Sequence, residues 1–235
     1  MKNPTFINEE YYHIYNRGVD KRIIFKNKND LRRFFQSMDE FNIIDPIGSI
    51  YENSFTRINI KEKTSLGSRT PKSTTFKLKK DKLVNFVCYC LNPNHYHFLL
   101  QQLVDDGIPK FMHKIGTGYT NYFNEKYKRS GSLCQGKYKA IHIDSNEYLL
   151  HLSAYINLNY KVHDYNLLGS RTPKLIKSSW EEYVEDNDNK NKKDFCEKDI
   201  ILDQFGNIED YKGFTKDSLK EIKENKQIKK LLLEY

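Results

Sequence analysis

Two apolar, β-prone runs separated by a short turn sequence define a hairpin at residues 83–102. Leu83 to Leu91 reads Leu-Val-Asn-Phe-Val-Cys-Tyr-Cys-Leu, and the chain turns at Asn92-Pro93-Asn94. His95 to Gln102 returns as the second arm. Side chains at i and i+2 of a strand share a face, so His95 and His97 point the same way. The hairpin therefore presents two imidazoles from one strand, a two-point grip on a divalent metal.

Around this hairpin the periodicity alternates between strand and helix. Residues 10–16 are aromatic-rich and alternate, and Arg17-Gly18 ends them. Asn29 or Asp30 is placed to cap a helix whose apolar face is Leu31, Phe34, Phe35, Met38 and Phe41, with Pro46 and Gly48 beyond it. A basic Ser/Thr/Lys-rich insertion fills about 46–82. Ile108, Phe111, Met112, Ile115, Tyr119, Tyr122 and Phe123 recur at helical spacing over 108–127, weakened at Gly116 and Gly118 and broken at Gly131. Residues 134–143 read as a fourth strand. Asp144 or Ser145 caps a further helix with a Leu149/Leu152/Ile156 stripe. The order β-α-β-β-α-β plus a helix predicts an α+β fold: a ferredoxin-like βαββαβ antiparallel sheet with helices on one face, that added helix, and a C-terminal helical tail. Residues 1–180 form the predicted main domain. Residues 181–235 read as a charged linker and helical tail, with Trp180 packing the region after the added helix against the core.

The chain of 235 residues carries a net charge of +8, with 17 Tyr and 14 Phe. Cationic and aromatic groups together suit single-stranded or hairpin nucleic acid as partner. No apolar run reaches membrane-spanning length and no signal-peptide core is present, which predicts a cytoplasmic protein with no membrane partner. Cys88, Cys90, Cys134 and Cys196 lack C-x-x-C spacing and are expected to stay reduced.

A heptapeptide, Leu66-Gly67-Ser68-Arg69-Thr70-Pro71-Lys72, recurs unchanged as Leu168-Gly169-Ser170-Arg171-Thr172-Pro173-Lys174. It can be encoded by CTT-GGG-AGT-CGA-ACT-CCC-AAG, in which the first three codons are the reverse complement of the last three. One hypothesis makes both copies translated remnants of a short DNA palindrome; the alternative is a repeated basic loop that binds phosphate. The gene's own codons at these places decide between them.

Tyr155 and Asn159 lie at i, i+4, on one helix face, with His151 one turn before. The Asn159 amide oxygen could join His95 and His97 as a third neutral ligand. Such a set leaves positions open for a phosphate oxygen and waters, as Mg²⁺ or Mn²⁺ prefers. Tyr155 would be a phenol nucleophile beside it, and His151 a possible neighbour. Blander readings stand alongside: histidines satisfied by nearby backbone or carboxylates, a surface His151, a packing Tyr155. A structural Cys2His2 zinc site using Cys88 and Cys90 is a third possibility, though compact zinc sites more often use C-x-x-C turns. Arg17, Lys21, Arg22, Lys137, Tyr138 and Lys139 are candidate DNA contacts through phosphate or base stacking. His13, His113, His142 and His163 show no partner pattern.

Tyr11 to Gly18, Cys90-Leu-Asn-Pro-Asn-His-Tyr-His-Phe-Leu-Leu, Ser132-Leu-Cys-Gln-Gly-Lys-Tyr-Lys and Tyr155-Ile-Asn-Leu-Asn occur in this order. Together they resemble the single-tyrosine transposase superfamily of histidine-x-histidine endonucleases, and within it the REP-associated tyrosine transposases, over roughly residues 8–180. The resemblance implies a single-tyrosine transposase catalytic domain that needs a divalent metal. Its ligands would be His95, His97 and Asn159. Tyr155 would be the nucleophile, cutting and rejoining single-stranded or hairpin DNA through a 5′-phosphotyrosine link. A homodimer is compatible, with Tyr155 serving either its own or the partner's metal site. Two departures are present: Tyr160 follows Asn159 where the family usually has Pro, and the 46–82 insertion is long. Alternatives of the same or another class are a replication initiator or relaxase, and a domesticated hairpin-DNA-binding protein that does not cut.

Overall fold

The computed structural model describes residues 3–45, 50, 81–162, 175–185 and 194–224. The insertion at about 46–82, Pro46 and Gly48, both heptapeptide copies and His163 fall wholly or almost wholly outside the described residues. Among the described residues thirteen elements follow one another: β1 (Tyr11–Arg17), a 3-10 turn (Val19–Lys21), α1 (Lys28–Glu40), β2 (Val84–Asn92), β3 (His95–Gln102), α2 (Gly107–Lys126), β4 (Lys139–His142), α3 (Asn146–Asn157), α4 (Asn159–Val162), β5 (Lys177–Ser178), α5 (Trp180–Val184), α6 (Asp199–Leu202) and α7 (Ile208–Glu224). The sheet runs β4-β1-β3-β2-β5 with every neighbouring pair antiparallel. The first four strands are the ferredoxin-like βαββαβ arrangement predicted from periodicity, and β5 extends its β2 edge.

The sheet is covered on both faces, as a run of consecutive buried residues along β2 and β3 requires. On one face Tyr12, Ile14, Phe86, Phe98 and Leu100 pack with α1 and α2 residues such as Phe34, Met38, Phe111 and Tyr119. Phe34 and Tyr119 meet edge to face at 4.8 Å, worth about 1 kcal/mol beyond their buried area. On the other face Val87, Cys88, Cys90 and Leu99 pack with Leu149, Leu152, Tyr155 and Ile156 of α3 and with Tyr183, Tyr211 and Ile222. Thus α1 and α2 share one face, while α3 and the tail helix take the opposite one. A bulge between Phe86 and Cys88 turns both Val87 and Cys88 to the α3 side, and Tyr183 Oη donates to the Val87 carbonyl there at 2.8 Å.

Local signals differ from expectation in three places. Asn27, not Asn29 or Asp30, caps α1, its side chain accepting from Asn29 N and Asp30 N. The fourth strand shortens to Lys139–His142, because Cys134 makes only an isolated bridge to Gly18 and Gly136 takes φ 70°. Part of the stretch read as linker is α5, followed by the buried Cys196. Ser145 does cap α3, accepting from Tyr148 N. After β1 the chain passes close to itself at Gly18, where a Cβ would sit 2.2 Å from the Arg22 carbonyl oxygen, so only glycine fits.

Asp30, freed from capping, staples α1 to the end of α2. It has no exposed surface and accepts from Lys126 Nζ (2.5 Å), Tyr127 Oη (2.6 Å), Lys26 N (2.9 Å) and Tyr122 Oη (3.1 Å). Burial pushes its pKa up, but Lys126, the Tyr127 hydroxyl and the Lys26 amide outweigh burial and hold it below the usual carboxylate range. A depressed folded pKa stabilises the protein above the unfolded value of about 4, and that stability is lost as pH falls through the folded pKa. Asp30→Asn is expected to cost about 1–3 kcal/mol at pH 7, since the buried carboxylate loses its charge-assisted hydrogen bonds to Lys126, Tyr127 and the Lys26 amide. Urea unfolding should show the gap between variant and parent closing in acid.

Candidate active site

The register of the sheet builds the site. His95 and His97 open β3 on the α3 side, and β1 lies antiparallel beside it with Arg17 opposite His95 and Tyr15 opposite His97. On the outer side of β1, Lys139 pairs with Tyr15. Period-2 alternation therefore gathers Arg17, Tyr15, His13, His95, His97 and Lys139 on one face. On the other flank Cys90 pairs with His97 and Asn92 with His95.

Helix α3 lays Tyr155 across this face. Its ring lies 5.6 Å from His97 and 6.5 Å from His13, edge-on to both. Tyr155 is 2% exposed and His97 likewise 2%, while His95 is partly open. The helix breaks at Leu158, and α4 begins with Asn159, fully buried, whose Oδ1 lies 3.1 Å from His95 Nε2. The His95 and His97 rings are perpendicular, with centroids 5.2 Å apart. The four residues singled out by spacing thus come together in one chain, with Tyr155 beside its own His97.

Hydrogen bonds orient the imidazoles. His95 Nδ1 is 2.7 Å from Asn94 Oδ1, the shorter of the ring's two contacts with amide oxygens, which favours the proton on Nδ1 and a lone pair on Nε2. The Asn92 amide nitrogen sits 3.0 Å from that Nε2 and 2.6 Å from Asn159 Oδ1. His97 Nδ1 lies 2.9 Å from Nε2 of His13, which has no exposed surface. Sequence reading left His13 without a role, because its partner lies 84 residues away. The signal available was its place in the alternating Tyr11/His13/Tyr15 set.

The donor set suits a hard or borderline divalent cation. His95 Nε2 and Asn159 Oδ1 stand as far apart as neighbouring ligands of an octahedral ion, roughly 3 Å for bonds of about 2.1 Å. The Asn159 Nδ2 is buried with no hydrogen-bond partner among the described residues, so the oxygen side of this amide takes all its contacts. Among the described residues no three His, Cys, Asp or Glu gather to hold a metal, so an all-His/Cys zinc site is not built. Burial also pushes the Cys88 thiol well up, against the thiolate zinc requires.

The remaining candidates divide. His151 faces α7, its Nδ1 3.2 Å from Ser218 Oγ and its ring 5.0 Å from Phe214, so its recorded contacts are with the tail helix. Arg17 Nε donates to Gln135 Oε1 at 2.6 Å, and Lys139 Nζ lies 5.8 Å from the Tyr15 ring. Lys21 and Arg22 are exposed after Gly18. Lys137 and Tyr138 line a separate cleft against α2, with Asn16, Asn121 and Asn124. His142 pairs with Glu10 at 3.0 Å, and Trp180 packs against the second core cluster, its ring tilted 6.2 Å from that of Tyr211. No helix among the described residues is long and apolar enough to cross a membrane.

Residues 57–159 match the family model described as "Transposase IS200 like". That span contains His95, His97 and Tyr155 and ends on Asn159. Among solved structures, a REP-associated tyrosine transposase bound to a REP hairpin matches at 13% identity, covering 78% of this chain and 84% of that one, with a TM-score of 0.42. A tRNA(His) guanylyltransferase from Saccharomyces cerevisiae matches at 9% identity over 71% of this chain and 64% of that one, with a TM-score of 0.31. No curated protein matches the chain by sequence.

Proposed function

From the match of residues 57–159 to the model of IS200-like transposases, we propose that this protein cuts and rejoins single-stranded or hairpin DNA through Tyr155. The observation that supports it best is the Tyr155 ring 5.6 Å from His97, on the sheet face that also carries His95.

In this reading His95, His97 and Asn159 would hold Mg²⁺ or Mn²⁺, which would supply positive charge to a scissile phosphate. His97 would ligate through Nε2, and its Nδ1, 2.9 Å from His13 Nε2, would then carry the proton and donate to His13, which would hold that tautomer. Arg17 and Lys139, on the same face, contact flanking phosphates. Tyr155 Oη attacks phosphorus in line and gives up its proton. The bond to the 3′-oxygen breaks, and that oxygen leaves as a 3′-hydroxyl. The 5′-phosphate is then esterified to Tyr155. A second 3′-hydroxyl attacks that ester, joins the strands and returns the phenol, so no external energy source enters.

A second reading has one observation in its favour. Tyr155 is 2% exposed, which suits a protein that binds hairpins without cutting; for cleavage, side chains around the phenol must part to admit phosphate. A labelled hairpin carrying a nick-trapped cleavage strand separates the two. The transposase reading expects covalent adducts that survive denaturing electrophoresis, appear with Mn²⁺ or Mg²⁺ and vanish with chelator. Tight, salt-sensitive binding with no adduct under either metal leaves the binder.

A further inference from the structure

Asn92 closes β2 with a fully buried side chain. Its Nδ2 is held between two groups that can ligate a cation, 2.6 Å from Asn159 Oδ1 and 3.0 Å from His95 Nε2. One NH2 group has two hydrogens and can serve both lone pairs. It does what a cation between those atoms would do: place positive charge where two acceptors converge. The other end of the amide, Oδ1, has a weak contact, 3.8 Å from Cys90 Sγ.

The two ends of a side-chain amide have nearly the same size and shape. Half a turn about the Cβ–Cγ bond exchanges them. The oxygen then faces Asn159 Oδ1 and His95 Nε2, and the NH2 faces the thiol sulfur, itself a weak acceptor. Without a cation that orientation sets three acceptors against one another and is unfavourable. With a cation among them it adds a third convergent donor atom. From this geometry we propose that Asn92 is a ligand of the divalent cation, supplied by the turn of its amide, alongside His95, His97 and Asn159. It rests on the cation site proposed above and adds a neutral oxygen, the donor type Mg²⁺ and Mn²⁺ favour.

The test uses DNA-free full-length protein and Mn²⁺ alone, with free ion read by its electron paramagnetic resonance signal. Asn92→Ala is expected to weaken Mn²⁺ binding by about tenfold or more, and Asn92→Asp, which keeps the shape and adds charge, to tighten it. In a ¹⁵N-labelled sample, Mg²⁺ should move the Asn92 side-chain NH2 resonances as they leave their two acceptors. An amide that merely fills the space predicts the opposite sign: Asn92→Ala would bind Mn²⁺ more tightly, having lost a competitor. Equal or tighter binding by Asn92→Ala, or an Asn92→Asp affinity equal to the parent's, overturns the proposal. Should Asn92→Ala lose its circular dichroism, the aspartate variant and the NH2 resonances decide alone. A parent protein that takes up no Mn²⁺ removes the whole cation site, a result distinct from a parent that binds while Asn92→Ala binds equally well.

Discussion

Tyr155→Phe is expected to abolish covalent protein–DNA adducts, by at least about 10⁴-fold, while hairpin affinity stays within about twofold. The phenylalanine ring keeps the edge-on contacts with His97 and His13 and loses only the oxygen. Fold and phosphate contacts should therefore survive, and thermal unfolding of the variant checks that they do. A second phenol makes the experiment discriminating. Tyr15 stacks on His97 with centroids also 5.6 Å apart, so proximity alone does not select Tyr155. Burial, with Tyr148 adding to it, pushes the Tyr15 pKa up to about 12, and its Oη is buried with no hydrogen-bond partner among the described residues. Burial works against ionisation of this phenol, and no described group stands by its Oη to take the proton. Tyr15→Phe should accordingly leave adduct formation in place. Adducts that persist in Tyr155→Phe and disappear in Tyr15→Phe would transfer the nucleophile's role to β1 and dissolve the assignment made from α3.

The parts of this site legible in the sequence were those set by local periodicity. Period 2 places His95 and His97 on one face of β3, and the i, i+4 spacing aligns Tyr155 with Asn159 even though the helix is interrupted at Leu158. The strand and helix order followed from the same two periods. What escaped was set by register between distant segments. His13 meets His97 only because β1 pairs antiparallel with β3 at Tyr15↔His97, and nothing within β1 encodes that offset. Asn92 read as turn chemistry, its commonest use, yet the reversal needs only Pro93 and Asn94. The two residues between the strands leave Asn92 on β2, facing inward. His151 shares a helical stripe with Tyr155 but reaches α7, because a helix packed between sheet and tail has two occupied sides. A strand as short as β5 carries too few residues to show a period at all.

The tail helix is where these long-range contacts carry the largest structural consequence. Tyr211 of α7 is fully buried, accepts from Asn157 Nδ2 at 2.9 Å and shares a hydrogen bond with Ser153 Oγ at 3.3 Å. Asn157 in turn accepts from Ser179 Oγ at 2.6 Å, and Ser179 Oγ accepts from Tyr89 N of β2 at 2.8 Å. One continuous set of bonds thus runs from the sheet, through the last turn of the Tyr155 helix, to α7. Around it the Tyr211 ring meets Phe205 at 5.2 Å and Tyr183 at 5.3 Å. Tyr211→Ala is expected to cost about 3–5 kcal/mol, from the cavity and the lost contacts. Tyr211→Phe, which keeps the ring and leaves Asn157 Nδ2 without this acceptor, should cost about 1–3 kcal/mol. Urea unfolding measures both, and amide hydrogen exchange at residues 153–157 should quicken in the alanine variant ahead of exchange in β1 and β3. That order follows from which side of α3 loses its cover: the sheet face keeps its own packing with α1 and α2, while Tyr155 is held against it from behind by α7. A cost below about 1 kcal/mol for Tyr211→Ala, with unchanged exchange, would mean that α3 holds its place on the sheet without the tail.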